Sequence, residues 1–167
     1  NIEINTPGKH NVLNTVVALA MADSYGVPLT TIAEALKNFK GIKRRFNYKI
    51  KTENLVLIDD YAHHPTEINA VVDAVRELFP EDEILAVFQP HLFSRTRDFI
   101  DDFASSLSKF DELLLLDIYP AREKPIEGVT SDWLLGKINM KNKQISSKEN
   151  VIKSIKTSNA KIIVMIG

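Results

Sequence analysis

The sequence predicts an α/β fold: a Rossmann-like, mainly parallel six-stranded sheet with helices on both faces, preceded by two helices that stand apart from it. Three observations predict it. Residues 84–88 and 113–116 are apolar at almost every position, which marks strands buried on both faces. Such runs alternate with segments whose apolar residues recur at helical spacing, as in Ile68, Val71, Val72, Val75 and Leu78. A three-residue turn, Thr52-Glu53-Asn54, joins residues 46–51 to 55–59. That link is too short for a crossover, so the first strand is antiparallel and belongs at the sheet edge.

Each element has its own local reason. Residues 12–24 read as a helix with a stripe of Leu13, Val16, Val17 and Ala20, ended by Gly26 and Pro28. Thr31-x-x-Glu34 has the form of a capping box and opens a second helix carrying Ile32, Leu36 and Phe39, closed by Gly41. Pro65 suits a helix first turn, where its missing N–H costs nothing. Ser94 reads as the N-cap of a helix lined by Phe99, Phe103 and Leu107. Thr130 or Ser131 caps a short helix with Leu134, Leu135 and Ile138. Gln144-Ile145 reads as a weak strand, and Ser146-x-x-Glu149 as the cap of a helix with Val151, Ile152 and Ile155. The last strand is 161–166, giving six strands with five parallel.

Composition narrows the function classes. Hydrophobic residues are 44% and charged residues 26% of 167, values of an ordinary globular chain. Lys and Arg number 21 against 22 Asp and Glu, so no bulk charge favours nucleic acid. The absence of cysteine excludes disulfides, thiolate catalysis and cysteine-held metals. No apolar run approaches the ~20 residues that would span a membrane, and no leader is visible, so a cytoplasmic setting is expected. Residues 43–51 carry five positive charges and no acid, while residues 1–42 balance at three of each sign. This shift beside Gly41 is the expected domain boundary, dividing 1–42 from 43–167. The chain starts without Met and stops at Gly167 after an apolar run, and is expected to be a piece of something longer. Nothing in the sequence fixes an oligomeric state.

In open α/β sheets ligands bind beyond the carboxyl ends of the strands. Those ends here read Asp59-Asp60-Tyr61-Ala62-His63-His64-Pro65, Gln89-Pro90-His91-Leu92-Phe93-Ser94-Arg95-Thr96-Arg97 and Asp117-Ile118-Tyr119-Pro120-Ala121-Arg122-Glu123. Three of the four histidines fall there. Asp59-Asp60 suits a helix cap, ribose hydroxyls or magnesium alike. Arg95 and Arg97 lie in a helix first turn, where cations oppose the dipole, a local conflict of the kind that marks function; the bland alternative is pairing with Asp98, Asp101 or Asp102. Lys43-Arg44-Arg45 suits either a solvated linker or phosphate recognition. Asn11 and Asn14 share a helix face beside His10, where amides either cap the helix or read a purine edge. No G-x-x-x-x-G-K-[ST] and no G-x-G-x-x-G is present, which disfavours a self-contained nucleotide triphosphatase or dinucleotide enzyme.

Taken in order, Pro-Gly-Lys-His-Asn-x-x-Asn (7–14), Arg-Arg-Phe (44–46), Asp-Asp-Tyr-Ala-His-His-Pro-Thr-Glu (59–67) and Phe-Gln-Pro-His-x-x-Ser-Arg-Thr (88–96) resemble the Mur ligase family. Asp117-x-Tyr-x-Ala-Arg-Glu (117–123) is similar too, so the resemblance covers essentially the whole chain. Members that recycle murein tripeptide share a similar His-His-Pro-Thr loop, whereas the segment 88–96 looks like the alanine-adding members. The resemblance implies that 1–42 is the end of an ATP-binding domain and 43–167 the amino-acid-binding domain, cut short at its end. It implies ATP with Mg2+, UDP-N-acetylmuramate and L-alanine as reactants, joined through an acyl phosphate, with the magnesium ligands mainly outside this stretch. His10, Asn11 and Asn14 would then meet adenine, Arg45 the phosphates, Asp60 the ribose, and Tyr61 would line the nucleotide. His91 and Arg95, helped by His64, would hold the L-alanine carboxylate. Some members carry Arg where this chain has Leu92, which leaves fewer cations for that carboxylate.

Two other classes fit part of the pattern. A phosphoacceptor receiver has an acidic pair after its first parallel strand, and Asp117 matches its acceptor position, but its Lys after the fifth strand has no counterpart here. A metal hydrolase would use His63, His64, His91 and Asp59.

Overall fold

A computed structural model describes residues 2–167. Two helices, α1 (Lys9–Ser24) and α2 (Leu29–Asn38), come first. The hairpin β1 (Asn47–Lys51) and β2 (Val56–Asp60) follows, then α3 (Pro65–Leu78), β3 (Ile84–Phe88), α4 (Phe93–Asp98), α5 (Ile100–Leu107) and β4 (Glu112–Leu115). The chain continues through α6 (Ser131–Lys137), β5 (Asn142–Ile145) and α7 (Val151–Thr157) to β6 (Ile162–Ile166). The sheet order is β1-β2-β6-β3-β4-β5. Only the β1–β2 pair is antiparallel, and β1 is an edge strand, as the hairpin predicts.

The last strand slots between β2 and β3, so the sheet reverses its winding there and opens a crevice at the carboxyl ends of its three central strands. The two faces are unequal. One carries Ile58, Ala86, Phe88, Leu113 and Val164 under α3, α5 and α6, with Phe88 and Phe103 rings 5.6 Å apart. The other carries Leu85, Val87, Leu114 and Ile163 under Val151 and Ile155 of α7. No helix among the described residues is long and apolar enough to cross a membrane.

Several caps differ from their sequence signals. Helix α1 starts at Lys9 because Gly8 takes φ 95, a turn that places His10 and Asn11 on the helix. Its Leu13–Val17 stripe stays exposed, because among the described residues no helix or sheet covers that face. The Thr31–Glu34 box is not made: α2 already begins behind Pro28, so Thr31 lies inside it. Ser94 is likewise inside α4, whose N-cap is Leu92. Before α7 the turn is held by Ser147, which accepts the Asn150 N–H at 3.3 Å, not by Ser146, and Ile152 points outward. Thr130 does cap α6, accepting from the Trp133 N–H at 3.0 Å.

Candidate functional site

A cavity of about 480 Å³ lies between α1, α2 and the segment leading to β1, lined by His10, Asn11, Asn14, Phe39, Ile42 and Arg45. The helical spacing of Asn11 and Asn14 brings both amides to it, as expected. Asn11 gives its Nδ2 to the Pro7 carbonyl at 2.6 Å, which fixes the amide and leaves its oxygen for a ligand. Phe39 and Ile42 supply a half-open apolar wall of the kind that a flat ring covers.

A second cavity of about 240 Å³ shares His10 and Arg45 with the first and continues to Asp60, Thr66 and Glu67. Arg45 reaches it because the residues on both sides, Arg44 (φ 57) and Phe46 (φ 46), are left-handed. Non-glycine residues held there cost of order 1–3 kcal/mol each, and such strain concentrates at working sites. The twist sends the two arginines opposite ways. Arg45 faces this cavity, with Glu67 at 3.5 Å. Arg44 lies 4.4 Å over the Tyr61 ring and donates to the Gly167 carbonyl.

Asp60 is buried at the end of β2 and lines the second cavity. It has a structural task as well. One carboxylate oxygen accepts the Phe46 N–H at 2.7 Å and the other the Ala62 N–H at 2.8 Å, so Asp60 ties the entry of β1 to the exit of β2. Burial raises its pKa above the ordinary carboxylate range, against the pull of those two N–H groups, Arg45 and His10.

The third cavity, about 250 Å³, sits over the ends of the central strands and is lined by Arg44, Tyr61, Gln89, His91, Tyr119 and Lys148, with Gly167. Tyr61 therefore lines the cavity of His91, not that of Asn11 and Asn14: it leaves β2 on the opposite side from the buried Asp60. Lys148 stands 5.6 Å over the Tyr119 ring. Gly167 takes φ 113, and a Cβ there would meet the Gln89 carbonyl, so only glycine lets β6 exit beside β3.

His91 lies 6.3 Å from His63 and 5.4 Å from Tyr119, ring to ring. Its pKa is held below the ordinary histidine value, first by burial, then by the charges of Arg95 and His63, with Glu123 opposing them. Arg95 reaches the His63 carbonyl at 3.5 Å, while Arg97 satisfies itself on Asp98 at 2.7 Å. The expected conflict with the helix dipole does not arise. Helix α4 is six residues long and breaks at Phe99, so both arginines fall in its last turn.

His64 does not join His91 and Arg95. Its ring packs on Phe99 at 4.6 Å, and its Nδ1 accepts the Thr66 N–H at 3.3 Å as the N-cap of α3. His63, not His64, is the ring that faces His91. The His63 N–H donates to Glu67, and its Nδ1 lies 2.8 Å from the Tyr61 carbonyl. Sequence reading gives no role to Glu67, Glu123 or Lys148, and offers Arg44 only phosphate recognition or a linker. Glu67 and Glu123 sit in the quoted motifs, but Lys148 has no local signal, since the β5–α7 loop brings it over Tyr119.

The metal-hydrolase constellation is not assembled: among the described residues no three His, Asp or Glu side chains converge, and Asp59 pairs with Lys49 at 3.3 Å and Arg44 at 3.7 Å. The receiver pattern fails too, because Asp60 is bound up by backbone N–H groups and Asp59 by cations.

Residues 44–167 match the family model described as Mur ligase, glutamate ligase domain. The chain is 62% identical over all its 167 residues to the UDP-N-acetylmuramate–L-alanine ligase of Christiangramia forsetii, and 60% identical to that of Flavobacterium johnsoniae. It spans 37% of the length of each. Among solved structures, it is similar to UDP-N-acetylmuramate–alanine ligase from Thermotoga maritima, with TM-score 0.78 and 27% identity over 99% of this chain and 35% of that one. A murein peptide ligase from Psychrobacter arcticus gives TM-score 0.66 and 27% identity over 99% of this chain and 35% of that one. Matched by the domain model over most of its length and by relatives along all of it, the chain belongs to the Mur ligase family.

Proposed function

We propose that this chain forms part of an ATP-dependent ligase that joins L-alanine to UDP-N-acetylmuramate in peptidoglycan precursor synthesis. Residues 1–42 would close the ATP-binding domain, and 43–167 would form the amino-acid-binding domain. The observation that carries the reading is the 62% identity, along the whole chain, to a relative named for that reaction. The start of the domain match at residue 44, beside the cationic run at 43–51, supports the division.

The geometry supports a division of labour. The cavity of Asn11 and Asn14 suits adenine, and the adjoining one suits ribose and phosphates, with Asp60 and Arg45 at hand. His91, Arg95 and Tyr61 belong to the amino-acid side, with His63 in place of His64. In the chemistry inferred, a carboxylate is made electrophilic by phosphorylation and then attacked by the alanine amine, releasing phosphate. This stretch would contribute orientation and charge: Arg45 offsets phosphate charge, and Arg95 fixes the alanine carboxylate. Magnesium is expected with ATP, but the residues here form no cage for it among those described, so no step is assigned to it.

The test is ADP release by the full-length protein with UDP-N-acetylmuramate, ATP and L-alanine, each omitted in turn. Activity with murein tripeptide but not with L-alanine would overturn the reading in favour of a recycling ligase. The 167-residue chain alone is expected to give no turnover.

A further inference from the structure

We propose that Glu123 is a positioning residue that caps α4 from a neighbouring loop and thereby holds His91 and Arg95 toward the amino-acid substrate. The inference rests on the reading of that pocket given above. Helix α4 has a weak beginning. Its N-cap is Leu92 at φ 76, whose side chain cannot accept a hydrogen bond from the first turn. At six residues it makes few internal bonds, so it needs an outside anchor. Glu123 supplies one from 29 positions along the chain: one carboxylate oxygen accepts the Ser94 N–H at 2.9 Å, and the other accepts the Ser94 hydroxyl.

The rest of the two loops is laced together on the other side of His91. The Leu92 N–H donates to the Tyr119 carbonyl at 2.9 Å, and the Tyr119 N–H to the Pro90 carbonyl at 2.8 Å. His91 is thus gripped by the backbone from Tyr119, and Arg95 by the Glu123 carboxylate through its neighbour Ser94. A left-handed Ala121, φ 51, turns the loop between the two grips so that both reach the same partner loop. The Glu123 grip is made by a side chain, so it can be removed by substitution without changing the backbone. The Glu123 carboxylate bonds to Ser94 and not to the His91 ring or the Arg95 guanidinium, so its hold on their positions runs through α4.

The experiment uses the full-length ligase with Glu123→Ala, Glu123→Gln, Ser94→Ala and Arg95→Ala, reading KM for L-alanine, ATP and UDP-N-acetylmuramate, with melting temperatures. Glu123→Ala is expected to raise the L-alanine KM about 10-fold, the scale of a lost charge-assisted hydrogen bond, and to leave the ATP KM within about 2-fold. Glu123→Gln keeps an oxygen for the Ser94 N–H and is expected to lose less. Adding Ser94→Ala to Glu123→Ala should raise the L-alanine KM no further, because the two residues act as one unit. If Arg95→Ala raises the L-alanine KM while Glu123→Ala and Glu123→Gln leave it unchanged, the inference is overturned and the pocket stands. Equal increases in all three KM values from Glu123→Gln would also overturn it. If Arg95→Ala leaves the L-alanine KM unchanged, the pocket reading itself falls and the inference with it.

Discussion

The Glu67 carboxylate stands 3.5 Å from the Arg45 guanidinium, and its second oxygen accepts the His63 N–H at 2.9 Å. One side chain therefore joins the cavity that holds Arg45 to the loop that carries His63 toward His91. Burial raises the Glu67 pKa, but the His63 N–H and the charges of His63 and Arg45 outweigh it, leaving the carboxyl below its ordinary range. A depressed folded pKa stabilises the protein above the unfolded carboxyl pKa, and that stability is lost as pH falls through the folded one.

Glu67→Gln should therefore lower the melting temperature at pH 7 and leave a smaller difference from the native protein below about pH 4. The loss at neutral pH should be modest, about 1 kcal/mol, since the Arg45 pair is half exposed. A constant difference from pH 3 to pH 8 would show that the charge contributes nothing.

Arg95→Ala in the full-length enzyme should raise the L-alanine KM roughly 10- to 150-fold, the range expected for a carboxylate losing a charged partner, with little change for ATP. Equal effects on both substrates would remove Arg95 from the amino-acid pocket.

Asp60→Ala calls for a different expectation from one based on ribose binding alone. It would leave the buried Phe46 and Ala62 N–H groups without an acceptor, at about 1–3 kcal/mol each. The variant should melt earlier and bind ATP more weakly. Asp60→Asn, which keeps one acceptor, should recover part of the melting temperature. Full native stability in Asp60→Ala would contradict the clamp.

How much of this was readable beforehand follows from which forces were local. Apolar runs marked β3 and β4, and helical spacing marked α3, because burial on one or both faces is written into neighbouring residues. Asn11 and Asn14 were placed together for the same reason. The caps of α2, α4 and α7 were misplaced because a Ser or Thr near a helix start is only one of several ways to satisfy its N–H groups, and at α4 the acceptor comes from Glu123. That His63 rather than His64 faces His91 has no local signal in the sequence. Adjacent residues diverge when one of them caps a helix, and the Phe99 ring that draws His64 aside is distant in sequence. Sequence order does not say on which side of β2 Tyr61 emerges, so its place in the cavity of His91 is legible only in the structure.

In the 167-residue chain, amides of α1 should exchange far faster than those of β3. No α1 residue is buried, whereas all five β3 residues are. Local opening follows such differences in buried contacts. Equal, global-level protection in the two segments would mean that α1 folds as one unit with the sheet.

His91 offers a test in which two neighbours act in opposite directions. Burial and the Arg95 charge both hold its pKa below the ordinary 6.5, and Glu123 lifts it. Removing the guanidinium in Arg95→Ala should raise the His91 pKa, and neutralising the carboxylate in Glu123→Gln should lower it further. Proton titration of the His91 ring by NMR reads both shifts directly, without any turnover. The sign also sets a stability effect. A histidine with a depressed folded pKa binds its proton more readily in the unfolded chain, so the native state loses stability as pH falls below about 6.5, and the loss levels off below the folded pKa. Arg95→Ala should shrink that loss. If Arg95→Ala lowered the His91 pKa, or if Glu123→Gln raised it, the placement of these three side chains around one pocket would be wrong, whichever substrate the pocket takes.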